Sequence, residues 1–283
     1  MRLNIVASRI WRSATTFLLR TMRYLKLRTY LLLSRPFPFA PRVRYFRFGL
    51  PYIMKCTNGL CTEADALRML NQCAPNLPIP RLLDSISIHD RTYAIMTKIP
   101  GEMLCHVRRD LPEEQLRAIV DDILAVLHQL WELKQHPSDT GKVMLSASGD
   151  GVRSPAYHFE STAGPFDNIL ECYTHLAPHI ANSPEELVSV EPDAVKAVVA
   201  DRIVFVHCDL RSHNIIVKNG RLSGIIDWEN SGWLPLHWQL HILRRPCFTM
   251  RGRLLKMFSD PKLYPVGSEA AYQGSCKLLY WAL

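Results

Sequence analysis

A short predicted hairpin constrains this chain more than any other feature of the sequence. Residues Asn219 and Gly220 separate two apolar runs, one that begins after Asn214 and one that ends at Asp227. Asn-Gly between hydrophobic runs is a strong signal for a two-residue turn, because both central residues of that turn need positive φ. In an antiparallel hairpin, the residue before the first strand and the residue after the second lie at the same end. We therefore expect Asn214 and Asp227 to lie close together.

Asp209 lies just upstream of this hairpin, five positions before Asn214. Together with Asp227, these side chains would supply one carboxylate that can accept a proton and two oxygen ligands for Mg²⁺. Transfer of a phosphoryl group needs this set of groups in one small volume. The sequence therefore predicts a phosphoryl-transfer site at this end of the hairpin, with Asp209 as candidate base and with Asn214 and Asp227 as metal ligands.

The composition favours an intracellular globular protein. The chain has 283 residues, of which 48% are hydrophobic and 21% are charged, enough for one large domain or two lobes with a sizeable core. Its eight cysteines form no C-x-x-C pair, and Arg residues interrupt the apolar runs near the N-terminus. We expect reduced thiols, a cytoplasmic location first and a mitochondrial one second. No apolar run approaches the ~18 residues that a transmembrane segment needs.

The net charge of +8 is distributed unevenly along the chain. The first acidic residue is Glu63, and twelve basic residues precede it. The remainder carries 22 Lys and Arg against 26 Asp and Glu, a net charge of −4. Because the basic residues belong to the N-terminal part alone, we do not expect the protein to bind nucleic acid.

Residues 1–33 have the pattern of a basic amphipathic helix, and we assign residues 1–35 to it as a separate segment. At 100° per residue, the apolar residues and the arginines fall on opposite sides. The apolar side carries Trp11, Ala14, Leu18, Met22, Leu25 and Leu32, and the basic side carries Arg2, Arg9, Arg12, Arg20 and Arg23. Three roles fit this pattern: a helix that packs on the rest of the fold, a mitochondrial transit peptide, and a helix that contacts a membrane surface. The segment Arg35–Pro38 would end the helix and begin a linker.

The pattern beyond this helix divides into two parts. Residues 36–99 alternate strands and one helix, whereas residues 100–283 are mostly helical. The predicted strands lie at about 42–48, 52–56, 81–88, 92–99 and 203–206, and the predicted helices follow Glu63 and Pro112 and span about 166–178 and 184–200.

Several segments together resemble the aminoglycoside phosphotransferase/choline-kinase-like superfamily, and most of all its large group of fungal members. The segments are Tyr52–Lys55, Glu63–Leu67, Leu77–Arg81, Tyr93–Gly101, Gly164–Phe166 and Phe205–Glu229. The last of these contains His-Cys-Asp-Leu-Arg-Ser-His-Asn and, after the Asn-Gly turn, Ile-Ile-Asp-Trp-Glu. The resemblance covers roughly residues 40–240.

The resemblance implies an α+β, two-lobed protein-kinase-like fold, with a small antiparallel sheet and one key helix in the N-lobe and a larger, mainly helical C-lobe. It implies ATP and Mg²⁺ as cofactors, and transfer of the γ-phosphoryl to a hydroxyl of a small molecule. Lys55 would contact the α- and β-phosphates, Glu63 would hold its ammonium group, and backbone groups of Met96–Lys98 would contact the adenine. Arg211 would act beside Asp209 by neutralising charge on the transferring group. His207 would support the loop through hydrogen bonds and not act as a base.

The sequence departs from the family pattern in ways that leave a second function open. Cys208 stands where the family usually has Gly, no G-x-G-x-x-G precedes Lys55, and Gln239 stands where fungal relatives often have Glu. The alternative is a catalytically inactive kinase-like binding protein. The oligomeric state is not predicted.

Other chemistries find less support in the sequence. A G-x-S-x-G elbow is absent, which argues against an α/β-hydrolase. The pairs His175/His179 and His237/His241 have the i,i+4 spacing of zinc ligands, but neither belongs to an H-E-x-x-H motif. We expect these histidines to be structural or exposed.

Overall fold

The computed structural model divides into two compact units. It describes residues 2–38, 40–58, 63–153, 162–244 and 252–279, with side chains of the first helix from Leu18 onward. The first unit comprises Met1–Gly59 and Arg81–Lys98, and the second comprises Leu60–Pro80 and Ile99–Leu283. The predicted domains 1–35, 36–99 and 100–283 stay a prediction. The N-terminal helix belongs to the same unit as the sheet, and residues 60–80 belong to the second unit.

The first unit is one helix and one antiparallel sheet. Its elements are α1 (Arg2–Leu33), β1 (Ser34–Phe37), β2 (Ala40–Phe46), β3 (Tyr52–Asn58), β4 (Leu82–Ile88) and β5 (Arg91–Thr97). The strand order is β1-β2-β3-β5-β4, and every neighbouring pair is antiparallel. The four predicted strands of this region are confirmed as β2 to β5.

The predicted linker after the first helix is wrong. Residues Ser34–Phe37 form β1, which pairs with β2 at the edge of the sheet. Pro36 lies in this strand, where the missing N–H of proline is tolerated because an edge strand has one side without a partner strand. The helix therefore ends before Pro36, but the chain continues as an ordered strand.

Helix α1 packs on the sheet through a face other than the apolar side identified in the sequence. Leu27 is buried against Phe46, Met54 and other core residues of the sheet, and Tyr30 packs beside it. The Tyr30 hydroxyl donates to Asp84 Oδ2 at 2.8 Å, which also accepts from the Lys26 ammonium at 2.6 Å. Among the described residues, no helix is long and apolar enough to cross a membrane.

The second unit is mainly helical. Its helices are α2 (Glu63–Cys73), α3 (Leu104–Val107), α4 (Glu113–Trp131), α5 (Ile169–Leu176), α6 (Pro184–Val190), α7 (Pro192–Val199), α8 (His237–Arg244), α9 (Arg253–Phe258) and α10 (Ser268–Leu279). Its strands are β6 (Glu102–Met103), β7 (Leu145–Ser146), β8 (Ile203–Val206), β9 (Ile215–Lys218), β10 (Arg221–Ile225) and β11 (Gly232–Pro235). They form two three-stranded sheets, β10-β9-β6 and β7-β11-β8.

The single helix predicted over 184–200 is two helices. Helix α6 ends at Val190 and α7 begins at Pro192. Proline lacks the N–H that a continuous helix would need at this position, but it suits the first turn of a new helix. Both helices therefore begin with a proline, and Ser183 caps the first of them by accepting from the Glu186 N–H.

The predicted hairpin is confirmed as β9 and β10. Asn219 and Gly220 have φ values of 52° and 72°, so both central residues of the turn are left-handed. At the other end, Ile215 pairs with Ile225, and the N–H of Ile226 donates to the Asn214 carbonyl at 2.9 Å. Asn214 is therefore joined to the residue before Asp227, at the end of the hairpin where the sequence predicted that Asn214 and Asp227 lie close together.

Two further contacts fix the hairpin within the second unit. The Asp122 carboxylate of α4 accepts from Arg221 Nε at 2.7 Å and from the Leu222 N–H at 3.1 Å. Gly101 lies against the middle of β9, with a φ of +127°, and a Cβ atom there would lie 2.3 Å from the Val217 carbonyl oxygen. Only glycine permits this close approach and this φ without displacement of the backbone.

Gly101→Ala should therefore destabilise the protein by about 3 kcal/mol, because the added methyl group combines a strained φ with a backbone clash. Urea or thermal unfolding measures the change. The matched control is Glu102→Ala, which removes an exposed side chain from the next residue and should change stability by less than about 0.5 kcal/mol. Equal unfolding midpoints for the two variants would show that β9 does not approach Gly101.

Candidate active site

The loop between β8 and β9 is held by His207. Its Nδ1 accepts from the N–H of Asp209 at 3.2 Å, and its Nε2 lies 3.0 Å from the carbonyl oxygen of Ile226, to which it donates. Both ring nitrogens are thus used, and burial lowers the pKa of His207, which favours the neutral ring. The predicted supporting role of His207 is confirmed, and the ring nitrogens are not available to act as a base.

Asn214 lies directly beside Asp209. Its side-chain nitrogen donates to the Asp209 carbonyl at 2.8 Å and to Asp209 Oδ2 at 3.1 Å. Because the nitrogen end of the amide is bound in this way, the oxygen end is the one that can face a cation. The side chain is buried, so its orientation is fixed by these bonds.

The Asp209 carboxylate is perturbed by its surroundings. Burial raises its pKa above the ordinary value, while the guanidinium of Arg211 and the hydrogen bond from Asn214 oppose this shift. Arg211 Nε lies 2.5 Å from Asp209 Oδ1, and the two side chains are 26% and 13% exposed. The negative charge of Asp227 acts in the same direction as burial, which indicates that the two carboxylates are close enough to interact.

Asp227 has an unusual backbone conformation. Its φ of 69° and ψ of 62° are left-handed, and such strain persists in a non-glycine residue only when the surroundings enforce it. The enforcing group is the buried carboxylate of Glu63, at the start of α2. Its Oε1 accepts from the N–H groups of both Asp227 and Trp228 at 3.1 Å. Glu63 therefore fixes the direction in which the chain leaves the hairpin.

Cys208 fits its position without strain. It is buried, its thiol donates a weak 3.8 Å hydrogen bond to the Val206 carbonyl, and it is not among the described residues with positive φ. The glycine that the family usually has here is therefore not required by the backbone of this chain.

Of the predicted nucleotide-binding residues, Lys55 and Met96 lie in the sheet of the first unit, and Lys98 directly follows its strand β5. Lys55 is in β3, opposite Val43 of β2 and Ala94 of β5. Met96 is in β5, which lies between β3 and β4, and it pairs on both sides, with Ile53 and with Leu82.

The backbone donors of the segment after Met96 are already used. The N–H of Thr97 donates to the Arg81 carbonyl at 3.0 Å, and the N–H of Lys98 donates to the Pro51 carbonyl at 2.8 Å. The predicted adenine contacts of this segment would therefore have to come from carbonyl oxygens or from the residues that follow.

The chemistry of the donor set suits a hard divalent cation. Asn214 and Asp227 offer one amide and one carboxylate oxygen, the ligand types that Mg²⁺ prefers. Within the described part of the chain, no group of three His, Cys, Asp or Glu side chains could hold a metal by itself. The remaining Mg²⁺ ligands would then be water and phosphate oxygens, which is usual for this ion.

The second pair of spaced histidines is structural. His237 Nδ1 lies 2.7 Å from Asp201, and its Nε2 lies 2.5 Å from the Tyr173 hydroxyl. That hydroxyl donates to Ser275, whose oxygen lies 2.8 Å from His241 Nε2. The network joins α5, α8 and α10 within the core, where buried polar groups need such partners.

Six described cysteines form no disulfide bond, namely Cys56, Cys73, Cys105, Cys172, Cys208 and Cys276. That the thiols are reduced in the cell stays a prediction. The predictions for Cys61 and Cys247 lie outside the described residues.

Sequence reasoning missed the backbone groups that build the site. The carbonyl oxygens of Ile226 and Pro78 and the N–H of Trp228 each make a bond that positions the loop or the hairpin. A sequence carries no signal for such contacts, because every residue type except proline has the same backbone groups.

Comparisons with known proteins show the family of the chain. Residues 59–258 match the phosphotransferase enzyme family known as APH, so the chain belongs to that family. The hygromycin-B 4-O-kinase of Escherichia coli is 24% identical over 202 residues, which are 65% of this chain and 52% of the kinase. The chain thus spans about half the length of this curated relative.

Solved structures of similar fold are aminoglycoside phosphotransferases. A thermostable mutant of APH(4)-Ia superimposes with a TM-score of 0.55 at 20% identity, over 85% of this chain and 87% of the mutant. The ternary complex of APH(2'')-IIa with streptomycin and ATP gives 0.57 at 16% identity, over 91% of this chain and 87% of that one. The predicted α+β protein-kinase-like fold is confirmed, whereas the likeness to fungal members stays a prediction.

Removing the Glu63 carboxylate should destabilise the second unit. Glu63→Ala leaves the partly buried N–H of Asp227 and the buried N–H of Trp228 without their acceptor, at a cost of about 2–4 kcal/mol. Glu63→Gln keeps an oxygen at the same position and should cost less than half as much. Chemical unfolding of the purified variants measures both.

The control for this comparison is Arg68→Ala on the same helix. It removes an exposed ion pair with Asp65 and should change stability by less than about 0.5 kcal/mol. If the Gln variant lost as much stability as the Ala variant, the two hydrogen bonds would not be what Glu63 contributes.

Proposed function

We propose that the protein is an ATP-dependent phosphotransferase that moves the γ-phosphoryl group to a hydroxyl of a small molecule. The observation that carries this proposal is the arrangement of Asp209, Asn214 and Asp227. Asn214 is hydrogen bonded to Asp209 and is joined through its backbone to the residue before Asp227. Membership of the phosphotransferase family supports the same reaction class.

Asn214 and Asp227 would hold Mg²⁺. The ion, when bound, would neutralise charge on the nucleotide phosphates and orient them. The chain contributes orientation: the bonds from Asn214 to Asp209 fix the amide, and the Glu63 carboxylate fixes the backbone of Asp227. These supports lie within one unit of the structure.

Asp209 would accept the proton of the attacking hydroxyl or orient that hydroxyl. Burial raises the pKa of Asp209, which makes it a stronger base than an exposed carboxylate. The Arg211 guanidinium opposes this shift and keeps the carboxylate available in its ionised form. When a phosphoryl group approaches, the same guanidinium could neutralise part of its charge.

Lys55 and the segment Met96–Lys98 would bind the nucleotide. Lys55 would contact the α- and β-phosphates, and carbonyl groups near Lys98 would contact the adenine. The resemblance also implies that the Glu63 carboxylate holds the Lys55 ammonium group, and this contact stays a prediction.

The acceptor would be a small molecule with a hydroxyl group. The curated relative is named for phosphorylation of hygromycin B, and a structural neighbour binds streptomycin. The second unit carries 19 Lys and Arg against 24 Asp and Glu, a net charge of −5, which favours a cationic acceptor over an anionic one.

Mg·ATP should raise the melting temperature of the wild type, because a ligand that binds only the folded state stabilises it by mass action. Asp227→Ala should lose this response to Mg·ATP. Asp90→Asn, which alters an exposed carboxylate in the turn between β4 and β5, should keep it. An unchanged melting temperature of the wild type in Mg·ATP would contradict the proposed nucleotide binding.

Turnover separates the enzyme from the inactive binding protein. A panel of amino alcohols and aminoglycosides, assayed for phosphorylated product by mass spectrometry, should give at least one acceptor. Asp209→Asn should reduce kcat for that acceptor by about 10²–10⁴-fold, the usual contribution of a positioned base. Nucleotide binding without turnover would favour the binding protein, and full turnover by Asp209→Asn would remove Asp209 from the mechanism.

The Arg211 guanidinium should set the acidic limb of the pH profile. It lowers the pKa of Asp209, so Arg211→Gln should raise that pKa, and activity should then be lost at a higher pH as the medium is acidified. Arg211→Lys keeps the positive charge and should leave the limb closer to its wild-type position. An unchanged limb in the Gln variant would mean that the ion pair does not control the titration of Asp209.

A further inference from the structure

The outward face of helix α1 is apolar and uncovered. At 100° per residue, Leu18, Met22, Leu25 and Leu32 fall within an arc of about 100°, opposite the buried Leu27. We call these four residues the outer stripe. They are 60%, 60%, 59% and 76% exposed, whereas Leu27 is 7% exposed. The helix is therefore held to the sheet by one face and presents a second apolar face to its surroundings.

An apolar stripe of this kind raises the free energy of the folded protein when it faces water. Exposed apolar residues scattered singly over a surface need no explanation, but a contiguous apolar face usually marks a contact with another molecule or with lipid. The outer stripe follows one side of the helix over four turns, and its borders carry Lys26 and the exposed Arg28. Thr29 lies within the stripe, and its hydroxyl donates to the Leu25 carbonyl at 3.0 Å. An apolar face bordered by cations is the pattern of a helix that lies in a membrane interface.

The charge of the whole first unit points to the same partner. Residues 1–59 and 81–98 carry 15 Lys and Arg against two Asp, a net charge of +13, whereas the second unit carries a net charge of −5. Such a surface is attracted to an anionic one, and each basic residue near an anionic membrane adds about 1 kcal/mol. Nucleic acid would satisfy the charge but would leave four aliphatic side chains exposed.

We propose that the first unit binds the surface of membranes that contain anionic phospholipids, with the outer stripe of α1 inserted among the headgroups. The ion pair of Lys26 with Asp84 and the packing of Leu27 and Tyr30 hold the helix on the sheet. The helix therefore lies on the membrane as part of the folded unit. This contact is independent of the phosphotransferase reaction and would bring the enzyme to a membrane surface.

Vesicle flotation of the full chain tests the proposal. The wild type should float with vesicles of mixed phosphatidylcholine and phosphatidylserine, bind vesicles of phosphatidylcholine alone far more weakly, and dissociate as salt is raised. Leu18→Gln/Leu25→Gln should weaken binding to the mixed vesicles by about tenfold or more, since insertion of two leucines is lost. The matched control Leu83→Gln/Val266→Gln changes two exposed aliphatic residues elsewhere and should bind as the wild type does.

Further results bear on the same question. Arg23→Gln/Arg28→Gln should weaken binding to the mixed vesicles and reduce its salt dependence, with an unchanged melting temperature. Binding by the Leu18→Gln/Leu25→Gln variant at wild-type strength, or no binding by the wild type, would overturn the proposal. So would a dimer seen by sedimentation velocity that this variant abolishes in the absence of vesicle binding, or tight binding of duplex DNA that is insensitive to the variant.

Discussion

The register of one hairpin determines the arrangement of the catalytic candidates. The left-handed pair Asn219 and Gly220 reverses the chain in two residues. A register shift between Leu222 and Gly224 then sets Ile225 opposite Ile215. A slip of one residue would turn every side chain of a strand to the opposite face. With the observed register, the chain passes from Asn214 into the hairpin and returns beside it.

Backbone contacts then convert this end of the hairpin into a site. The Glu63 carboxylate binds the N–H groups of Asp227 and Trp228, and His207 connects Asp209 to Ile226. The carbonyl of Pro78 accepts from Ile225 on the other side. Each bond is ordinary in strength, but all are buried or partly buried, where loss of a partner is costly. The left-handed Asp227 is thus maintained by the surrounding structure and not by its own preference.

The sequence was informative where the chemistry of a side chain dictates structure. Asn-Gly predicted the turn, alternating runs predicted β2 to β5, and the loop residues predicted the family. Prediction failed where tertiary context decides the outcome. The segment around Pro36 became an edge strand, because β2 was there to pair with it. The segment 184–200 divided into two helices at Pro192.

The N-terminal helix shows a different limit of sequence reasoning. The apolar residues predicted on one side include Leu18, Met22, Leu25 and Leu32, which are exposed, whereas the side chains of Trp11 and Ala14 lie outside the described residues. A sequence cannot tell which side a neighbouring sheet will cover. Leu27, Tyr30 and the ion pair with Asp84 hold the helix, and this leaves the larger apolar side outward. Likewise, the residue type of Glu63 does not predict that its carboxylate will accept a hydrogen bond from the backbone N–H of Asp227.

The most direct measurement of the central claim is the position of a bound divalent ion. Crystals grown with Mn²⁺ and a non-hydrolysable ATP analogue would locate the ion by its anomalous scattering. The account predicts one anomalous peak between Asn214 Oδ1 and the Asp227 carboxylate, at about 2.0–2.2 Å from each, and its loss in Asp227→Ala. Nucleotide bound with the metal elsewhere, or with no metal contact to either residue, would contradict it.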